Sequence, residues 1–206
     1  MSKIDSKSAP NPLYTASLQE PTFINVPRLL FLMINGQGAP DAGPEFQQAV
    51  EALFSVSYAL KSLVRDQGLD YEVMPLEALW RADEPDEFAN RDNHRCRWTL
   101  LIRQPETITP ELVNRAKDRG RGNSKLPLLD KVRFSAWCEG EAAQILHVGP
   151  FCEAHAAIAR LQAFIKEKGY QTCGRRHEIY LSDPRQTPPA EFNTIIRQPV
   201  TLEAMR

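Results

Sequence analysis

The chain has 206 residues, 42% hydrophobic and 25% charged, with a formal net charge of −1. A chain of this length buries about 70% of the surface its unfolded form exposes, so it folds without disulfide or metal staples, and the near-neutral balance excludes nucleic-acid binding by bulk charge. No window approaches the ~18 apolar residues of a membrane span, and the opening MSKIDSKSAPNPLYTAS has no apolar signal-peptide core. Cys96, Cys138, Cys152 and Cys173 show no CxxC spacing and read as reduced thiols. Together these features lead us to expect a cytoplasmic protein with no membrane segment and no direct nucleic-acid partner.

Residues 1–20, rich in Ser, Pro and Lys without a period, read as a flexible arm whose removal leaves folding intact. The remainder, 21–206, reads as a single domain. RLLFLMING (28–36) is an unbroken apolar run closed by Gly, a buried strand. EFQQAVEALFSVSYALKSLVRDQG follows Pro44; Phe46, Val50, Leu53, Val56, Leu60 and Leu63 recur at three- and four-residue spacing, as in an amphipathic helix. YEVMPLEALW (71–80) and RCRWTLLIRQP (95–105) are strands separated by a charged, turn-rich stretch, and TPELVNRAKDRG is a short helix with Thr as its cap. KVRFSAWCEG (131–140) and EAAQILHVGP (141–150) are expected as a hairpin turning at Glu139–Gly140. FCEAHAAIARLQAFIKEKG is a second amphipathic helix, and RRHEIYLSD (175–183) and NTIIRQPV (193–200) are the last strands.

LLIRQP in the first half returns as TIIRQP in the second, Arg103-Gln104-Pro105 matching Arg197-Gln198-Pro199. The order strand–helix–strand–strand also recurs, in halves of about 21–120 and 125–200. The expected fold is therefore α+β: two βαββ units in a pseudo-twofold arrangement, their sheets flanking a central cleft with the helices outside. A cleft on such an axis is a natural small-molecule site.

HEIYLSDPRQTPPAEFNTIIRQPV (177–200), with KLPLLDKVRF (125–134) and ILHVGPF (145–151), resembles the GyrI-like small-molecule-binding family, and in particular its stand-alone members. FLMINGQGAPDAGPEFQQAVEALFSVSYALK and VMPLEALW extend the resemblance to roughly residues 21–200. The resemblance implies a duplicated SH2-like βαββ fold and a cleft for drug-like molecules, often cationic or aromatic. It also implies that some stand-alone members hydrolyse strained cyclopropane rings of genotoxic natural products. The chain departs from the pattern at Phe151-Cys152-Glu153-Ala154-His155, where acidic residues are usual and only Glu153 keeps the charge.

Alternation along 177–182 puts Glu178 and Tyr180 on one face. If the opposite face packs on helices, both look into the cleft, where poor solvation would raise the carboxyl pKa and suit it to hold a cation or move a proton. A salt bridge with Arg175 or Arg176 is the structural alternative. Glu77 is read as the matching carboxylate of the first half, although a regular strand turns it and Trp80 to opposite faces, so both reach the cleft only across a bulge. Trp80, Trp98, Trp137, Tyr180 and Phe151 are candidates for an aromatic box that attracts cations and flat ligands. Cys152 at a helix start is a candidate reactive thiol. Cys152, His155 and His147 lack a fourth ligand at metal spacing, so no metal is expected. Gly36-Gln37-Gly38 is too short for a nucleotide fingerprint and reads as a turn. Arg119, Arg121 and Lys125 read as a solvated connector.

The function expected is binding of a hydrophobic, aromatic or cationic molecule for xenobiotic sensing or sequestration, without a cofactor, by a monomer or weak homodimer. The first alternative is a hydrolase opening strained-ring toxins with Glu178, Tyr180 and Glu77. The second is a protein-interaction or inhibitor module, which calls for a large exposed patch.

Overall fold

The computed structural model describes residues 11–38, 44–81, 97–123 and 126–203. Its elements in order are β1 (Thr22–Gln37), α1 (Pro44–Arg65), β2 (Leu76–Arg81), β3 (Arg97–Gln104), α2 (Pro110–Asn123), β4 (Arg133–Val148), α3 (His155–Glu167), β5 (Tyr170–Thr172), β6 (Arg176–Tyr180) and β7 (Asn193–Leu202). All strand pairs are antiparallel, in the order β4-β1-β3-β2-β6-β7, and β4 also pairs with β7. Six strands thus close into a barrel-like ring, with β5 attached to the edge of β7. Instead of two sheets flanking a groove there is one sheet closed on itself.

The length of β4 closes the ring. The hairpin expected at Glu139–Gly140 does not form: Arg133–Val148 is one strand. Gly140, at φ 77°, accommodates a local departure without reversing the chain. β1 is equally long and keeps one register along it, from Thr22 opposite Gln144 to Met33 opposite Arg133. A hairpin would leave half of β1 without a ladder.

Alternation along the strands separates an outer, helix-bearing face from an inner one. On the outer face Leu32, Ile34, Ala78, Trp80, Leu100 and Ile102 pack with Ala49, Leu53, Val56 and Leu60 of α1. α1 opens on Pro44, whose missing N–H costs nothing at a helix start, and is followed by Gly68 in the left-handed region. α3 lays Ala157, Leu161 and Ile165, four residues apart, over Ala143, Ile145, Ile196 and Val200. Each such fully buried aliphatic side chain stabilises by about 1.5–3 kcal/mol. On the inner face Phe31, Met33, Leu79 and Leu101 fill the ring with Leu29 and Trp137.

The free arm expected over residues 1–20 does not hold over 11–18; residues 1–10 lie outside the described residues. Pro12–Tyr14 forms a 3-10 turn capped by the Asn11 side chain. The carbonyls of Pro12 and Thr15 accept from Gln144 Nε2 (3.2 and 2.9 Å), that of Leu13 from Arg197 Nη2 (2.6 Å), and that of Ser17 from the Leu146 N–H (2.9 Å). This docking uses backbone carbonyls, which leave no hydrophobic period in the sequence. Among the described residues no helix is long and apolar enough to cross a membrane.

Candidate functional site

β6 carries the chain's two chemical faces. Glu178 stands opposite Ala78 on β2 and Ile196 on β7. Ala78 belongs to the core under α1 and Ile196 to the core under α3, so Glu178 lies on the outer face where the two helix-covered regions meet. The expectation that His177 and Ile179 face the helices is reversed: they point into the ring. The Glu178 carboxylate is buried, 1% exposed. Tyr180 Oη donates to its Oε2 at 3.1 Å, Trp80 Nε1 donates to Tyr180 Oη at 3.3 Å, and Arg176 Nε lies 3.2 Å from its Oε1. Residues two apart on a strand share a face, so Arg176, Glu178 and Tyr180 are aligned by the pleat alone. Phe151, in the 3-10 turn before α3, sets its ring edge-on to Tyr180 at 5.0 Å, and Phe192 lies 5.6 Å from Phe151. The outcome is a hydrogen-bonded row Trp80–Tyr180–Glu178 flanked by aromatic rings, with the carboxylate's charge shared with a guanidinium.

Of the other expected residues, Trp98 shares the outer face but is built into the α1 core. It stands opposite Trp80, meets Phe46 edge-on at 5.3 Å, and donates to Gly38 O at 3.1 Å. Its ring lies over Gly36, where a Cβ would sit 2.1 Å from Cη2. Gly36 therefore serves close packing, and only Gly38, at φ 96°, has a turn conformation.

Glu77 and Trp137 lie on the opposite, inner face. Glu77 stands opposite Ile179, whereas Glu178 stands opposite Ala78. The two glutamates are one residue out of register, and in a structure of period two one residue reverses the face. No bulge intervenes between Glu77 and Trp80, so the strand keeps them apart. Glu77 joins a buried polar cluster that sequence reasoning missed. Its Oε1 accepts from Tyr14 Oη at 2.7 Å, and its Oε2 lies 2.9 Å from His177 Nε2. His177 Nδ1 lies 3.1 Å from Glu139 Oε2, which also accepts from Arg197 Nη1 at 3.2 Å; Arg197 Nε donates to Gln144 Oε1 at 3.0 Å. Trp137 meets the His177 ring edge-on at 5.5 Å. Burial alone would strip the proton from His177, but the charges of Glu139 and Glu77 push its pKa up to about 9. Burial would likewise raise the Glu139 carboxyl, yet His177 and Arg197 hold it below the usual range. The Tyr14 hydroxyl is pushed well above its ordinary range by burial and by the charge of Glu77. No single signal in the sequence marks this cluster: His177 stands opposite Leu79 and reaches Glu77 diagonally across β2.

Cys152 is exposed in the 3-10 turn rather than at the start of α3. His147 Nε2 lies 3.0 Å from Pro150 O. Arg121 is held by Asp118 and Asp130, as befits a structural connector, and Lys125 lies outside the described residues, as does Cys96.

Comparison with solved structures finds a conserved protein from Listeria innocua, 34% identical over 92% of this chain and 95% of that one, with a TM-score of 0.85. A hydrolase from Listeria innocua is likewise 34% identical over the same shares, with a TM-score of 0.80. The C-terminal domain of EcmrR, 13% identical over 89% of this chain and 98% of that one with a TM-score of 0.58, shares the fold. A comparison with curated proteins finds no match. The family model for the GyrI-like small molecule binding domain matches residues 19–201, nearly the whole described chain. This chain belongs to the GyrI-like small-molecule-binding domain family.

Proposed function

We propose that the protein binds a flat hydrophobic, aromatic or cationic small molecule on the outer face between α1 and α3, against Tyr180, Trp80 and Phe151, for sensing or sequestration of xenobiotics in the cytoplasm. The observation that carries this reading is the row Trp80 Nε1–Tyr180 Oη–Glu178 Oε2 beside the Phe151 ring. Aromatic faces attract a cation or stack on a planar ligand, and the carboxylate behind the phenol orients whatever polar group the ligand carries. We read the two βαββ halves as duplicated SH2-like units: the ring order is the same followed from β1 or from β4. Nothing in this site calls for a cofactor, and we read the protein as a monomer or weak homodimer.

A second reading, hydrolysis of a strained-ring electrophile, is favoured by the 34% identity with a Listeria innocua hydrolase over nearly the whole chain. In it Glu178 takes a proton from water as the oxygen bonds to a cyclopropane carbon. The ring C–C bond breaks, and its electron pair moves to a conjugated carbonyl oxygen, where Tyr180 donates a hydrogen bond to the developing oxyanion. The role once expected for Glu77 drops out of this reading, because Glu77 faces the inside of the ring.

Titration of a flat cationic dye by fluorescence, with wild type and Glu178→Gln in parallel, tests the first reading; weaker binding by the variant is expected, and equal binding would remove it. Incubation with a cyclopropane-bearing alkylator, followed by mass spectrometry, tests the second. Turnover by wild type alone makes the protein a hydrolase; a ligand returned unchanged makes it a binder.

A further inference from the structure

The inner face of the ring ends, at one rim, in arginines from several strands. Alternation along each strand brings them there. Glu77, Leu79 and Arg81 share the inner side of β2, and Arg97, Thr99 and Leu101 that of β3. Asn35 follows Phe31 and Met33 on β1, and Arg133 precedes Ser135 and Trp137 on β4. The registers place them in successive rows of the ladder: Arg81 opposite Arg97, Asn35 opposite Thr99, Met33 opposite Arg133. Arg175, two residues before His177, brings a further guanidinium to the same rim.

The hydrogen bonds of Arg175 and Arg133 converge on one neutral pair, Thr99 and Asn35. Arg175 Nη1 donates to Thr99 Oγ1 at 2.9 Å, Thr99 Oγ1 donates to Asn35 Oδ1 at 2.9 Å, and Arg133 Nη2 donates to the same Oδ1 at 3.3 Å. Thr99 is buried and forms a floor; Arg175 is half-buried, and Arg81, Asn35 and Arg133 are exposed around it. Among the described residues no carboxylate lies within ion-pair distance of Arg81, Arg133 or Arg175, whereas Arg185 and Arg197 each have one and Arg121 has two. The charged form of Arg175 is disfavoured first by burial, then by the charges of Arg133 and Arg81. Like charges brought together at a half-dry surface repel, and guanidinium forks match the oxygens of an oxyanion.

The geometry points to an anion site at this rim, in which Arg81, Arg133 and Arg175 hold a phosphate group, either free or carried on a small molecule. Three guanidiniums, from β2, from β4 and from the residue before β6, suit a dianion with oxygens on several sides better than a planar carboxylate. The site is independent of the ligand reading above, because Glu178 and Tyr180 project from the other side of β6.

Calorimetric titration and thermal unfolding of the full chain in dilute chloride buffer test it, with inorganic phosphate and a sugar phosphate as probes. The proteins are wild type, Arg81→Gln, Arg175→Gln and, as a control on α2, Arg119→Gln. Wild type is expected to bind one phosphate group saturably and to melt at a higher temperature with it. Arg81→Gln and Arg175→Gln each weaken binding about tenfold or more, while Arg119→Gln leaves it unchanged. Without phosphate, Arg81→Gln melts no lower than wild type, because a repulsion is removed. Tighter binding of the sugar phosphate identifies an organic ligand, and equal binding free phosphate. Absence of saturable binding would overturn the inference and mean that the charge is met from within the chain. Equal loss with Arg119→Gln would overturn it as bulk attraction. If Arg175→Gln does not fold, the exposed Arg81→Gln decides the question alone.

Discussion

Raising the pH should destabilise this protein through a histidine inside its ring. His177 is 1% exposed, between Glu77 and Glu139, with Arg197 bonded to the same Glu139 oxygen and Trp137 against its ring. Its folded pKa of about 9 lies above the ordinary value near 6.5, so the folded state binds the proton more tightly than the unfolded chain. The resulting stabilisation is complete below about pH 6.5 and is lost as the pH rises through about 9. At roughly 1.4 kcal/mol for each tenfold change in proton affinity, the loss amounts to about 3 kcal/mol. Urea unfolding from about pH 5.5 to about 10 measures it directly. Glu139→Gln removes the strongest charge that holds the proton. It lowers stability overall by ~3–5 kcal/mol, because Arg197 loses its partner, but it also flattens the alkaline decline. A wild-type stability that is level or rising between pH 6.5 and 9 would refute the coupling of His177 to its two carboxylates.

Tyr14→Phe withdraws the hydroxyl from Glu77 Oε1 and should lower unfolding stability by ~1–2 kcal/mol. Deleting residues 1–18 should cost more than Tyr14→Phe in the same assay, since Arg197 and Gln144 then lose three carbonyl acceptors as well. Gly36→Ala brings a methyl group to 2.1 Å from the Trp98 ring, so we expect a loss of ~1–3 kcal/mol and a changed near-UV spectrum as the indole moves. Leu161→Ala, in the core under α3, should lower the unfolding free energy by ~2–5 kcal/mol.

The sequence shows the elements through their periods. Val56, Leu60 and Leu53 mark α1 because a helix that buries one face must repeat its apolar residues at three- and four-residue intervals. The repeated Arg-Gln-Pro marks β3, which lies between β1 and β2, and β7, which lies between β6 and β4. Alternation placed Glu178 with Tyr180, and the alternative of an ion pair with Arg176 is realised beside them. Strand register is invisible to such patterns. Matching Glu77 with Glu178 looked natural in the sequence, and the one-residue offset that sends them to opposite faces appears only in the pairing of β2 with β6. β4 escaped for a related reason. Glu139-Gly140 has the chemistry of a turn, but only the long partner β1 decides that the chain runs straight through. The docking of residues 11–18 left no trace because its acceptors are main-chain carbonyls, which every residue type supplies.

The central claim is that ligand meets the outer face of β6 at Glu178 and Tyr180 and not the inner cluster at Glu77. A crystal structure of the protein with a flat cationic dye tests this most directly. We expect the dye against Tyr180, Trp80 and Phe151, within hydrogen-bond or ring-contact distance of the row that ends in Glu178, with Glu77 still bound to Tyr14 and His177. A dye lodged inside the ring beside Glu77 and Glu139, with Tyr14 displaced, would contradict the account.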